Sequence, residues 1–224
     1  MKTNVIPQLI LKDWRLQSRT ITLLTLAGVA ALAFLPIGGK AIIVGTVFFF
    51  VAMIFCACLL PVQNIVNEQK KQTLPFIMSL PLSSAQYGAA KLISTTGMFL
   101  ISWLALLGVA LFMTLVRHTV PNGALPMGMI LMGFPLIGFC LVNGAALVGD
   151  SEAWATTALA ITNSSYWLVW FMLASHVPSL MQNVSSPVAV WSPAVFKILS
   201  GEFGIILLIL GLTMFLQSRK RNFI

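Results

Sequence analysis

Charge is what this sequence has least of. Only 8% of its 224 residues are Asp, Glu, Lys or Arg, where a soluble globular domain carries about 25%. The scarcity is uneven: residues 92–116, 118–149 and 153–196 contain no charged residue at all. Each gap exceeds the roughly 20 apolar residues that cross about 30 Å of hydrocarbon. A soluble domain is therefore excluded, and a polytopic membrane protein is expected. The runs lack the period-two alternation of a membrane barrel, so they read as helices. Cysteine and histidine are also scarce. Cys56, Cys58 and Cys140 sit inside apolar runs with no His or carboxylate near them, which suits small buried side chains rather than a disulfide or metal site. His118 and His176 fall at the ends of apolar runs. No Gly-x-Ser-x-Gly elbow, His-Glu-x-x-His helix or Gly-x-x-x-x-Gly-Lys-Ser/Thr phosphate loop occurs. No catalytic residue is expected in this chain.

What is present is oil with charged edges. The chain is 58% hydrophobic, with a mean hydropathy of +0.96. The expected fold is all-α, one membrane domain over residues 1–224, with six transmembrane helices at about 21–37, 41–62, 90–115, 127–148, 154–174 and 201–217. The first hairpin should turn tightly at Gly38-Gly39-Lys40. The net charge of +8 gathers at span ends, as membrane orientation demands, and does not form a nucleic-acid patch. One side carries ten basic residues: Lys2, Lys12, Arg15, Arg19, Lys70, Lys71, Lys91, Arg219, Lys220 and Arg221. The other carries three, Lys40, Arg117 and Lys197. Both termini are thus expected in the cytoplasm. A cleaved signal peptide ending near Ala31-Leu32-Ala33 competes, but it needs a twenty-residue amphipathic leader and would leave an odd span count.

The N-terminal stretch is amphipathic. Gln8, Lys12, Arg15 and Arg19 step by four, three and four along one helical face, with Ile6, Ile10 and Trp14 opposite. This pattern predicts a helix lying in the interface, its cations toward lipid headgroups. Asp13 and Gln17 interrupt its apolar side and are expected to meet another part of the protein. On the outer side, residues 175–200 are too apolar for a solvated loop and are broken by Pro187 and Pro193. A short re-entrant helix before the sixth span fits, with an interfacial anchor around Trp191 as the plainer reading.

Between spans two and three, on the cytoplasmic side, charges and amides frame a short apolar plug, Leu74 to Leu82. Thr73 can cap a helix that Pro75 begins well. Pro81 ends it, because the residue before a proline is pushed out of the helical region. Ser83 with Gln86 forms a capping box for the next helix. The product is a rod of about two turns showing Leu74, Phe76, Ile77, Met78 and Leu80, which invites a receiving groove on a partner. Polar residues at membrane depth are few. Asn143, Asn163, Ser164 and Ser165 are the candidates for a translocation path, against a plainer role in interhelical hydrogen bonding. Met127, Met129 and Met132 read as packing rather than a soft-metal site. Asp150 and Glu152, with Ser151, can cap the fifth helix and offer a second cytoplasmic contact.

Glu68 and "TLPFIMSLPLSSAQYGAAKLI" resemble the signature of type-2 ATP-binding-cassette permeases: an acidic residue, a segment ending Ser79-Leu80-Pro81, then Tyr87 and Lys91 leading into span three. "LILKDWRLQSRT" is similar to that family's elbow helix. Ser84 departs from the Arg many relatives place there. The resemblance implies a membrane subunit of an ATP-driven exporter in the bacterial inner membrane. The rod would be a coupling helix. It would dock a separate ATPase subunit through Thr73, Leu74, Pro75, Phe76, Ile77, Leu80, Pro81 and Ser83, with Glu68, Lys70 and Lys71 as flanking polar contacts. The ATPase would hold ATP and Mg, this chain holding no cofactor of its own. A second permease subunit, identical or homologous, would share the path for an apolar or amphipathic peptide, lipid or drug. The rival is a self-contained secondary transporter or channel. Such proteins place charges at mid-membrane, whereas the five acids here all fall near expected span ends.

Overall fold

Long apolar runs without helix breakers become long helices, and the computed structural model contains little else. It describes residues 5–70, 84–149 and 152–219, and among these no strand occurs. Lys71, Thr73, Leu74, Pro75, Phe76, Ile77, Leu80, Pro81 and Ser83 lie outside the described residues, as do Asp150, Ser151 and the side chain of Lys70.

Helix α1 spans Val5–Leu32 without interruption. The expected interfacial helix and first span are therefore one element, since nothing between Pro7 and Gly28 breaks the helix. A 3₁₀ turn, Leu35–Ile37, leads to Gly38 (φ 78°) and Gly39 (φ 55°). Both occupy the left-handed region that glycine enters without steric cost, so the hairpin turns where expected. Helix α2 runs Lys40–Pro61, passes through a π-helical turn, Val62–Val66, and ends as the short α3, Asn67–Lys70. Helix α4 spans Ser84–Leu115, α5 Leu125–Val148 and α6 Glu152–His176. The short α7, Pro178–Asn183, is followed by non-helical chain and then α8, Pro193–Arg219. Pro193 begins α8 rather than breaking the loop, as a proline suits a first helical turn.

Five of the described helical stretches are long and apolar enough to cross a membrane: 6–37, 40–66, 86–115, 122–148 and 193–219. Helix α6 has the length, at 25 residues, but Thr156, Thr157, Thr162, Asn163, Ser164 and Ser165 dilute its apolar character.

Helix α5 is the hub, packing against α8, α6, α2 and α4. Its glycines let neighbours approach: a methyl at Gly138 would collide with Thr162 of α6, and one at Gly144 with Thr213 of α8. With no hydrophobic drive between helices in lipid, such close packing is what holds them together. Phe99 of α4 stacks on Phe139 of α5, ring centroids 4.4 Å apart. Cys56 and Leu60 of α2 complete that cluster. Trp103 Nε1 donates to the Met132 carbonyl at 2.9 Å. Cys56, Cys58 and Cys140 are buried free thiols.

Two of the five acids stand deeper than expected. Asp13 is the ninth residue of α1 and Glu202 the tenth of α8, and both are buried.

Gly138→Leu should destabilise the protein by about 1–3 kcal/mol, the usual cost of overpacking, while Gly108→Ala, where no atom lies within 4 Å, should not. Thermal unfolding of the purified protein in one detergent checks both.

Candidate functional site

The side chains that leave the apolar pattern of α1 converge on one point. Leu9, Asp13 and Gln17, spaced four apart, form its buried stripe. Leu9 packs with Tyr87 and Ala90 of α4, and Ile6 and Ile10 join them. Asp13 therefore meets another helix, as its place on the apolar side implied.

Its partner is Lys91, on the second turn of α4 and fully buried. Lys91 Nζ lies 3.0 Å from Asp13 Oδ1 and 2.9 Å from Oδ2. It also donates to the backbone carbonyl and side-chain Oδ1 of Asn64, each at 3.2 Å, and sits 2.8 Å from Glu68 Oε2. Glu68 in turn takes Lys12 Nζ at 2.7 Å and the Tyr87 hydroxyl at 3.2 Å. Lys12 is half-exposed at the rim, 3.6 Å from Asp13. Lys12 thus pairs within the chain rather than reaching freely toward headgroups.

Local backbone makes this possible. Pro61 has no N–H to return to the preceding turn, and the helix beyond it widens into the π-helical turn that contains Asn64. Such turns are rare and cluster at functional sites. A bare ammonium removed from water costs several kcal/mol, and removing one member of a buried pair costs about as much. Here two cations face two carboxylates, and Lys91 has more acceptors within 3.2 Å than it has protons. Burial alone would raise the Glu68 carboxyl, but Lys91 and Lys12 outweigh it and hold it below the usual carboxylate range. A depressed carboxylate contributes stability above its unfolded value, about 4.3. That stability is lost as pH falls through the lower folded value.

The node flanks residues 71–83 in the sequence. Glu68 stands just before it, and Tyr87 and Lys91 just after. Sequence reasoning had counted Lys91 among the orientation charges and did not pair it with Asp13. The signal was there: an acid on an apolar face needs a cation, and Lys91 opens a charge-free run.

The path candidates are not brought together. Asn143 is fully buried on α5, its Oδ1 accepting the Thr95 hydroxyl at 3.1 Å. Asn163 lines a cleft of about 780 Å³ between α2 and α6, with Val47, Phe50, Ile54, Tyr166 and Trp170. Ser164 is exposed, and the Ser165 hydroxyl donates back to the Thr162 carbonyl at 2.8 Å. Ser175 Oγ lies 2.8 Å from His176 Nδ1. Both are exposed, however, and among the described residues no carboxylate bonds the ring.

The family model for ABC-2 family transporter proteins matches residues 8–220. The chain belongs to the ABC-2 family. Comparison with curated proteins and with solved structures gives no match. An ABC-2 permease is a membrane subunit, not itself catalytic, and the family implies a partner ATPase subunit in general. The buried node therefore belongs to a transporter's membrane domain, at the cytoplasmic edge if the charge asymmetry sets the orientation.

Lys91→Met should cost about 3–5 kcal/mol by leaving Asp13 buried without its ammonium, while Glu68 keeps Lys12 and Tyr87. Lys12→Met, removing a half-exposed partner, should cost about 1 kcal/mol or less. Thermal unfolding in matched detergent compares them, and equal losses would refute the ranking. The wild-type unfolding temperature should also fall progressively as the pH is lowered from about 4.3, where the unfolded Glu68 carboxyl begins to take up protons, toward its depressed folded value.

Proposed function

We propose that this ABC-2 permease is the membrane subunit of an ATP-driven exporter, docked to its ATPase through residues 73–83. The observation that carries the reading is the node. The helices on either side of the docking segment are clamped together by Glu68, Tyr87 and Lys91 and fastened to α1 by Asp13. A push on the segment then moves α1, α2 and α4 together rather than bending a loose loop. Phe76, Leu80 and their neighbours supply the apolar knob, with Lys70 and Lys71 beside it and Glu68 anchoring its root. ATP and Mg belong to the partner subunit.

In this reading α6 crosses the membrane as a sixth span despite its hydroxyl-rich middle, since Thr162 and Ser165 bond back to its own carbonyls. The first turns of α1 lie at the inner headgroups, and both termini are cytoplasmic in a bacterial inner membrane. A second permease subunit, identical or homologous, completes the path. The cleft beside Asn163, walled by aliphatic and aromatic side chains, suits an apolar or amphipathic substrate.

Phe76→Asp should abolish permease-stimulated ATP hydrolysis while leaving the chain inserted and folded. The test compares wild-type and variant complexes purified from native membranes. A fully active variant complex overturns the docking assignment. Transport by the wild-type chain alone in proteoliposomes, with no ATPase present, would favour the self-contained transporter instead.

A further inference from the structure

Glu202 is an acid where a membrane helix has reason to avoid one. It stands in the interior of α8, five residues inward of Lys197, and is only 7% exposed. Its carboxyl abuts Gly133 of α5, where an added methyl would overlap it. The glycine therefore makes the room the carboxyl occupies. Glu202 Oε1 is buried with no hydrogen-bond partner, and no ion pair among the described residues reaches this side chain.

Among the described residues no ion pair or hydrogen bond brings a charged group to it. Helix α8 packs on α5 and α4. Residues 125–148 of α5 contain no Asp, Glu, Lys, Arg or His, and neither do residues 92–115 of α4. On its own helix the nearest charge is Lys197, whose residue is exposed. His176, at the end of α6, is exposed and bonded to Ser175. About one helical turn outward of the carboxyl, Ile130 of α5 and Ile198 and Leu199 of α8 join the apolar cluster of Met127, Leu180 and Val195. That cluster lies between the carboxyl and the Pro193 end of α8 and forms an apolar cap one turn along.

Asp13 meets the same difficulty and is given an ammonium. Glu202 is given a glycine and an apolar lid. An isolated carboxylate in such surroundings is costly, and the group that removes its charge without needing space is a proton.

We propose that Glu202 is a proton-binding site of the membrane domain, carrying its proton while α5 and α8 are packed and exchanging it with water when the cap parts. On opening, the O–H bond breaks, the proton passes to the entering water, and the carboxylate left behind is solvated. On closing, water returns the proton. The site stands on its own geometry and does not depend on the docking reading.

A lipid-soluble carbodiimide tests it on the intact protein in native membrane vesicles. The reagent adds to a protonated carboxyl: the acid's proton moves to a carbodiimide nitrogen, the carboxyl oxygen bonds the central carbon, and no group leaves. Mass spectrometry of the digested protein reads the added mass at each acid. Glu202 should be labelled about tenfold or more above Asp13, labelling should fall as the pH is raised, and Glu202→Gln should remove it. An unlabelled Glu202, labelling equal to that of Asp13, or labelling that ignores pH overturns the proposal.

Discussion

One ammonium group holds three helices together at the end of the bundle that flanks residues 71–83. Lys91 Nζ is out of reach of water and is surrounded by Asp13 from α1, Asn64 from the π-helical turn after α2, and Glu68 from α3. In an apolar domain such a cluster has little freedom. Each carboxylate needs its cation, and each cation needs its carboxylates, because the alternative is a charge stranded without solvent. The packing at this end follows from that constraint: the amphipathic start of α1 is drawn onto α4, and the π-helical turn after α2 brings Asn64 to Lys91.

Elsewhere the protein uses contact instead of charge. The glycines of α5 admit Thr162 and Thr213, and the Phe99–Phe139 stack fills the space between α4 and α5. Because α1 is continuous from Val5 to Leu32, displacement at Asp13 would be carried along its length toward the hairpin at Gly38-Gly39. The ABC-2 permease is thus built from a charged base at Lys91, long continuous helices, and a packed hub at α5. The two buried acids differ in company: Asp13 is paired with Lys91, and Glu202 Oε1 has no hydrogen-bond partner.

Much of the fold could be read from the sequence, and for physical reasons. Uncharged runs longer than a bilayer is thick leave helix as the workable structure. Paired glycines before Lys40 announce the hairpin. Asp13 and Gln17 on an otherwise apolar stripe announce a polar partner. What stayed hidden depended on three-dimensional pairing or on where a helix happens to start. Composition alone does not tell an interfacial helix from the first turns of a long span, and α1 is continuous because nothing breaks it. Lys91 reads as an orientation charge until Asp13 is set beside it. Glu202 reads as a span-end acid when the helix is taken to begin at 201, whereas Pro193 begins it eight residues earlier. Asn143 reads as a polar residue at membrane depth, and the Thr95 hydroxyl at its Oδ1 comes from helix packing that the sequence does not show.

The central claim is that Asp13 and Lys91 stabilise this domain as a pair and not as two separate side chains. A double-mutant cycle measures that directly. Asp13→Asn, Lys91→Met and the combined variant are compared with wild type by equilibrium unfolding in a single lipid–detergent mixture. The account predicts a coupling energy of about 2–3 kcal/mol, at the upper end for residues in contact. A value within about 0.5 kcal/mol of zero, the additivity expected of independent sites, would contradict it.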